Sequence, residues 1–205
     1  LNKINKKFVY LISPNKIPDI SFYNDLALVL SSKKISFFQL RLKKETILNK
    51  LIIGKKIKKI CNKYKVKFLI NDDPLLAKKL NADGCHLGQK DMDLIKARKI
   101  LKNRIIGVTC HNSINLAKRA IKDGADYLAF GAFYATKTKT VKYRASLTVL
   151  KSIKKITSLP IVAIGGIKLN NYKKLLLNKA NFLAISGYIW NNKKYKPLEA
   201  IKKLK

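Results

Sequence analysis

Short apolar runs, rich in β-branched and aromatic residues, recur along the chain with helix-spaced segments between them. They cover Phe8–Ile12, Phe37–Leu42, Phe68–Ile70 (ending on Asn71), Gly84–Leu87, Ile105–Thr109, Tyr127–Phe130, Ile161–Ile164 and Phe182–Ile185. The runs are apolar on both faces, as expected for strands of a parallel sheet covered by helices. Between them, Ser113–Lys122 places Ile114, Ala117 and Ile121 on one stripe, and Leu147–Ile156 and Leu169–Leu177 repeat that spacing. Pro74–Leu80 opens with a proline suited to a first helical turn, and Asp73 can cap it. Gly124 and Ala180 sit between a helix and the next strand, and a glycine there suits a helix C-cap.

Eight strands alternating with helices within 205 residues predict an α/β fold, a (β/α)8 TIM barrel near its minimum size. A doubly wound open sheet is the competing arrangement. The segments NADGCHLG and KDGADYLAFG favour the barrel, because each reads as helix end, Ala-Asp turn and strand. No Gly/Ser/Pro-rich linker interrupts the pattern, so residues 1–205 are expected to form a single compact domain.

Composition narrows the class. At 47% apolar residues the chain is no disordered tail. Lys and Arg total 45 against 11 Asp and Glu, a net charge of +34 that raises a nucleic-acid or membrane-surface partner. The charge is mostly lysine, since arginine is confined to Arg41, Arg98, Arg104, Arg119 and Arg144, and the lysines spread along the whole length. An A/T-rich coding sequence produces such a skew without a binding groove. The expectation is therefore no nucleic acid and no membrane partner. The 3 cysteines, Cys61, Cys85 and Cys110, lack CxxC spacing, which argues against a disulfide framework or a structural zinc and fits a reducing cytoplasm. No apolar run approaches the roughly 18 residues of a membrane span, and the run after basic Leu1–Lys7 is too short for a signal-peptide core.

In a barrel, chemistry sits at the C-terminal ends of the strands, and the unusual polar residues fall there. Gln39, Arg41 and Lys43 alternate, so they share one face. Solvated charges on an edge strand would alternate in the same way. Leu40 and Leu42 on the opposite face instead aim the trio into the barrel, where it calls for an anionic partner. The third strand ends Asn71-Asp72-Asp73, of which one Asp suits a helix cap and the other a metal. Asp91 or Asp93 can likewise cap the next helix. Carboxylates after neighbouring strands can also hold one Mg2+, which takes few protein oxygens and leaves the rest of its shell to phosphate. His86 and His111, taken singly, read as structural histidines. A Thr/Lys loop follows the sixth strand, running through Thr136, Thr138 and Lys139, and suits a lid with hydroxyl and ammonium donors. Gly165-Gly166 ends the seventh strand and Ser186-Gly187 the eighth, the usual place of a barrel phosphate cradle. The mouth thus holds two expected anion sites, one cationic and Mg-assisted, the other built of backbone N–H groups.

These motifs carry a resemblance. QLRLK (Gln39–Lys43), INDD (Ile70–Asp73), ADGCHLGQKD (Ala82–Asp91), GVTCH (Gly107–His111), GADYLAFGAFYATKTK (Gly124–Lys139) and AIGGI (Ala163–Ile167) occur in order. Together the chain resembles the thiamine-phosphate synthase family, also called thiamine-phosphate pyrophosphorylases, from Tyr10 to Trp190. The resemblance implies a Mg-dependent transferase that condenses 4-amino-2-methyl-5-hydroxymethylpyrimidine diphosphate with 4-methyl-5-(2-phosphoethyl)thiazole. The products are thiamine phosphate and pyrophosphate, with pyrophosphate leaving before the thiazole nitrogen attacks. It implies Asp72 and Asp91 as Mg2+ ligands, Arg41, Lys43 and Lys139 as stabilisers of the leaving group, and Asn71 on the diphosphate. Gln39 and His86 would orient the aminopyrimidine, beside Thr109 where the family commonly has Ser. Thr136 and Thr138 would close over the thiazole phosphate, held by Gly166 and Ser186. Ala135 departs from the family's usual Pro, Cys85 from a common Val, and SPN after the first strand from a Thr-Asp pair.

Two rivals remain at this stage. A thiazole tautomerase-like barrel would need neither metal nor diphosphate, which retention of Arg41, Lys43, Asp72, Asp91 and Lys139 opposes. A basic nucleic-acid-binding protein would show a contiguous basic stripe with interleaved aromatics. Small-molecule substrates, a cytoplasmic enzyme and room for a homo-oligomer are the remaining expectations.

Overall fold

All eight apolar runs become strands, and the strands close into a parallel ring in sequence order. The computed structural model describes residues 7–17, 19–136 and 143–204. The ring comprises β1 (Val9–Ile12), β2 (Ile35–Leu40), β3 (Lys67–Asn71), β4 (Gly84–Leu87), β5 (Ile105–His111), β6 (Tyr127–Gly131), β7 (Ile161–Ile164) and β8 (Phe182–Ile185). Around it lie α1 (Ser21–Ser31), α2 (Ile47–Lys63), α3 (Pro74–Lys79), α4 (Leu94–Leu101), α5 (Ile114–Lys122), α6 (Leu147–Lys154), α7 (Tyr172–Leu177), α8 (Gly187–Trp190) and α9 (Pro197–Lys203). The pairing of β1 with β8 closes the ring and rules out the open-sheet alternative.

The two faces of each strand feed two apolar layers. One face meets the helices: Leu11, Phe38, Phe68, Ile70, Leu128 and Phe130 join helix residues such as Leu26, Ile57 and Ile153 in one continuous core. The other face fills the barrel with Tyr10, Ile12, Leu69, Tyr127, Ala129, Val162 and Ala184. Aromatic rings dominate this interior, Phe37 lying 5.4 Å from Tyr10 and 5.1 Å from Phe182 between ring centroids. Gly107 makes room for one of them, since a Cβ there would collide with the Tyr127 ring on the neighbouring strand.

A repeated device fastens the lower rim. Asp83, just before β4, donates its N–H to Phe68 O (2.8 Å) and accepts the Phe68 N–H on its carboxylate (2.9 Å). Asp126 does the same to Ile106 (2.8 and 2.7 Å), and Asn181 to Ile161 (2.8 and 2.9 Å). These stitches explain the Ala-Asp turns that precede strands, for each pairs backbone groups that would otherwise be left without partners at the ladder's end.

Several helix starts follow from their side chains. Asp73 accepts the Leu76 N–H, Asp93 those of Ile95 and Lys96, and Ser113 that of Leu116. Boundaries shift in places. The strand expected over Phe37–Leu42 begins at Ile35 and stops at Leu40, because the Arg41 N–H turns aside to Ser13 Oγ (2.9 Å). β5 extends to His111, and α7 starts at Tyr172 instead of Leu169.

Candidate active site

The C-terminal ends of the strands gather the polar residues. Gln39 lies near the end of β2, 2% exposed, while Arg41 and Lys43 lie in the loop beyond it, Arg41 half-buried and Lys43 exposed. The leucines between them are buried against the helices, so the trio does face the mouth, although only Gln39 belongs to the strand. Ser13 and Asn15 organise the loop. The Ser13 hydroxyl takes the Arg41 N–H, and Asn15 Oδ1 accepts from Arg41 Nη1 at 2.6 Å. Partial burial pulls the Arg41 pKa down, opposed by the charge of Asp72.

Register places Asn71, the last residue of β3, beside His86 of β4. The next residue, Asp72, has φ +65°, and its N–H donates to His86 O at 2.8 Å. That turn separates the duties of the adjacent aspartates. Asp73 caps α3, and Asp72 is left facing Lys43, with Oδ2 2.8 Å from Nζ. Asp91 hydrogen-bonds Asp72 and accepts the Gly88 N–H at 2.7 Å, while Asp93 caps α4. The two carboxyls titrate apart. For Asp72, burial acts upward but the hydrogen bonds from Asp91 and Lys43 and the Lys43 charge prevail, holding it below the usual range. Burial and the hydrogen bond to Asp72 push Asp91 up. The pair thus brings two hard oxygen donors together, and a hard divalent cation binds such donors in competition with protons. No group of three or more His, Cys, Asp or Glu side chains placed to hold a metal ion stands among the described residues, and a two-carboxylate site suits Mg2+, which leaves coordination positions to phosphate.

Deeper in the mouth, His86 Nε2 lies 2.8 Å from Thr109 Oγ1 and Nδ1 lies 2.8 Å from the Tyr127 hydroxyl. Tyr127 meets Tyr10 (2.8 Å), which accepts from Gln39 Nε2 (2.7 Å). Gln39, His86 and Thr109 are thereby linked through two tyrosines that sequence reasoning assigned to no site. Their position in apolar strand runs gave no signal beyond the hydroxyl itself.

On the opposite side, β7 pairs with β8 so that Ile164 faces Ala184, which sends Gly166 and Ser186 off neighbouring strands together. Gly165 and Gly166 both have positive φ (104° and 63°), and a Cβ on Gly166 would meet the Ala135 carbonyl and Tyr134 backbone. The two glycines therefore let the chain after β7 pass under the loop that leads to Thr136. Ser186 Oγ donates to Ser13 O (3.1 Å), tying this corner to the end of β1. Thr138 and Lys139 lie outside the described residues. A cavity of about 460 Å3 at the other end of the barrel is lined by Lys58, Lys67 and Arg104, but these cations are occupied by Asp83, Asn81 and backbone carbonyls.

A parallel barrel with paired carboxylates and cations after β2–β4 and a glycine cradle after β7 is a (β/α)8 enzyme built for phosphorylated small molecules. The sequence matches the family model described as thiamine monophosphate synthase over residues 9–189. The chain belongs to the thiamine-phosphate synthase family and is a transferase. It is 96% identical over 204 residues to the thiamine-phosphate synthase of Pelagibacter ubique strain HTCC1062, covering 100% of this chain and 99% of that one. It is 36% identical to that of Nitrosomonas eutropha, covering 93% and 90%. Among solved structures, the thiamine phosphate pyrophosphorylase of Pyrococcus furiosus superposes with a TM-score of 0.84 at 27% identity, covering 99% of this chain and 96% of that one. A 3-hexulose-6-phosphate synthase shares the fold (TM-score 0.68, 17% identity, covering 96% and 98%). No helix among the described residues is long and apolar enough to cross a membrane.

Proposed function

We propose that the mouth of this barrel joins the pyrimidine diphosphate to the thiazole phosphate through the residues named above, with Asp72 and Asp91 holding Mg2+. The observation that carries this reading is the carboxyl pair of Asp72 and Asp91 set against Lys43, with Arg41 on the same loop. A bound Mg2+ supplies positive charge against the phosphate oxygens of the leaving group. Arg41 and Lys43 hold the diphosphate and offset the negative charge that grows on its bridging oxygen as the C–O bond breaks. Lys139 adds a third cation, and Asn71 donates to a phosphate oxygen.

Gln39, His86 and Thr109 orient the pyrimidine ring so that its methylene carbon faces the thiazole. Gly166 and Ser186 hold the thiazole phosphate, while Thr136 and Thr138 cover it and exclude water that would otherwise capture the electrophilic carbon. The thiazole nitrogen attacks with its own lone pair, so no nucleophilic side chain and no base is required for bond formation.

The test is thiamine phosphate formation from the two purified substrates, read by thiochrome fluorescence with and without Mg2+. Product that depends on Mg2+ is the expected result. A folded protein that forms none, yet binds the thiazole phosphate, would favour the tautomerase-like alternative.

A further inference from the structure

The side chains at the floor of the mouth form one continuous hydrogen-bonded chain, and its direction follows from its chemistry. Gln39 Nε2 donates to the Tyr10 oxygen at 2.7 Å. An amide nitrogen only donates, and the one arrangement that gives each buried hydroxyl hydrogen an acceptor within this chain has Tyr10 donating to the Tyr127 oxygen, 2.8 Å away. Tyr127 then donates to His86 Nδ1 at 2.8 Å. A ring nitrogen that accepts carries no hydrogen, so neutral His86 bears its hydrogen on Nε2 and donates to Thr109 Oγ1 at 2.8 Å. Thr109 accepts that bond and keeps its hydroxyl hydrogen to give away.

The chain is sealed. Tyr10 and Tyr127 are 1% and 3% exposed and pack edge to face with each other and tilted against Phe37, so bulk water does not compete for their hydroxyls. Burial raises both phenols well above their ordinary pKa, so they stay neutral donors. The His86 ring also stacks on Tyr127, 5.6 Å between centroids and 17° from parallel, which fixes its orientation as well as its tautomer.

We propose that Tyr10 and Tyr127 are positioning residues that set the hydrogen-bond polarity of the pyrimidine pocket. They leave the Gln39 carbonyl as an acceptor at one end and the Thr109 hydroxyl as a donor at the other. The pocket then selects a ring edge that offers an N–H beside an unprotonated ring nitrogen, as an aminopyrimidine does. A pyrimidine carrying a carbonyl in place of the amino group presents two acceptors or a reversed pair and leaves one end of the chain unsatisfied. The inference rests on Gln39, His86 and Thr109 forming the pyrimidine pocket.

The experiment is nitrogen NMR of the protein labelled with 15N-histidine and free of substrate, joined to steady-state kinetics. The chain has 2 histidines, and a His111→Gln variant assigns the spectrum. The expected result is a hydrogen on Nε2 of His86 and none on Nδ1. In Tyr127→Phe the tautomer preference should be lost. In both Tyr127→Phe and Tyr10→Phe, KM for the pyrimidine diphosphate should rise roughly tenfold while KM for the thiazole phosphate holds. A purely structural role would instead move both KM values or neither. An active wild type with its His86 hydrogen on Nδ1 overturns the polarity, as do two tyrosine variants with unchanged KM for the pyrimidine. A wild type that makes no thiamine phosphate overturns the pocket assignment beneath the proposal. Should Tyr127→Phe fail to fold, the wild-type spectrum and Tyr10→Phe decide.

Discussion

Lys43 reaches from the loop after β2 to Asp72 after β3, its Nζ 2.8 Å from Oδ2. The ammonium is half exposed, so the pair adds little to the fold; its value lies in placing a cation and an anion at one point of the mouth. Lys43→Ala should leave the folded protein intact and lower kcat by roughly 10²–10³-fold, the usual effect of removing one charge-stabilising donor. Steady-state thiochrome assays at saturating Mg2+ measure this, and an unchanged kcat would remove Lys43 from the leaving-group site.

Mg2+ held by the carboxyl pair, as proposed, would bind with a pH dependence of definite sign. Asp72 is ionised first, and Asp91, pushed up by burial and by its neighbour, keeps the shared proton longer. Mg2+ displaces that proton, so affinity should be low in acid and climb as pH rises through the elevated Asp91 pKa. The slope should be about tenfold per pH unit below that pKa and flat above it. Calorimetric Mg2+ titrations in buffers of different ionisation enthalpy report the proton released. A pH-independent affinity would show that the pair does not hold the metal.

Gly166 has φ +63°, and its missing side chain leaves space for the Tyr134–Ala135 backbone. Gly166→Ala should therefore displace the loop that leads to Thr136. A displacement of about 1 Å costs on the order of 10²-fold in turnover, and the strained backbone should remove about 1–3 kcal/mol of stability. Thiazole phosphate titrations and urea unfolding measure the two effects separately.

Asp126 lies at the opposite end of the barrel from the reaction. Asp126→Ala leaves the Ile106 N–H without its carboxylate partner and removes the ion pair to Arg98, which keeps its bonds to the Lys102, Arg104 and Gly124 carbonyls. Loss of one buried partner costs about 1–3 kcal/mol. Urea denaturation should show that loss, while kcat at 25 °C stays at the wild-type value. A fall in kcat matching the loss of stability would mean that the lower rim also shapes the mouth.

The barrel was legible because strand runs apolar on both faces have few other homes. Every run from Phe8 to Ile185 became a strand, and the Ala-Asp turns proved to be the rim stitches. The limits of β2 were not legible. Nothing local shows that a serine 28 residues away will take the Arg41 N–H and end the ladder at Leu40. The charges that gather at the mouth were visible as Arg41 and Asp72 just beyond apolar strand runs, whereas Asp91 read equally well as a helix cap. The division of work between Asp72 and Asp73 needed the positive φ of Asp72, which composition does not reveal. Tyr10 and Tyr127 stayed hidden for the opposite reason. Within an apolar run a tyrosine reads as core, and here each is core and hydrogen-bond carrier at once.

The rim stitches also order the assembly of the ring. Asp83 and Phe68 are 15 residues apart, and Asp126 and Ile106, like Asn181 and Ile161, are 20. Such contacts close short loops, so neighbouring β-α-β units can lock while the rest of the chain is still free. The seam between β1 and β8 is different: Trp190 Nε1 donates to Ile12 O across 178 residues. Closing a loop of that length costs roughly 2 kcal/mol more chain entropy than closing one of 20. Chain entropy therefore favours closure of the neighbouring units ahead of the meeting of β1 with β8, and the corner where Ser186 reaches Ser13 depends on that long closure.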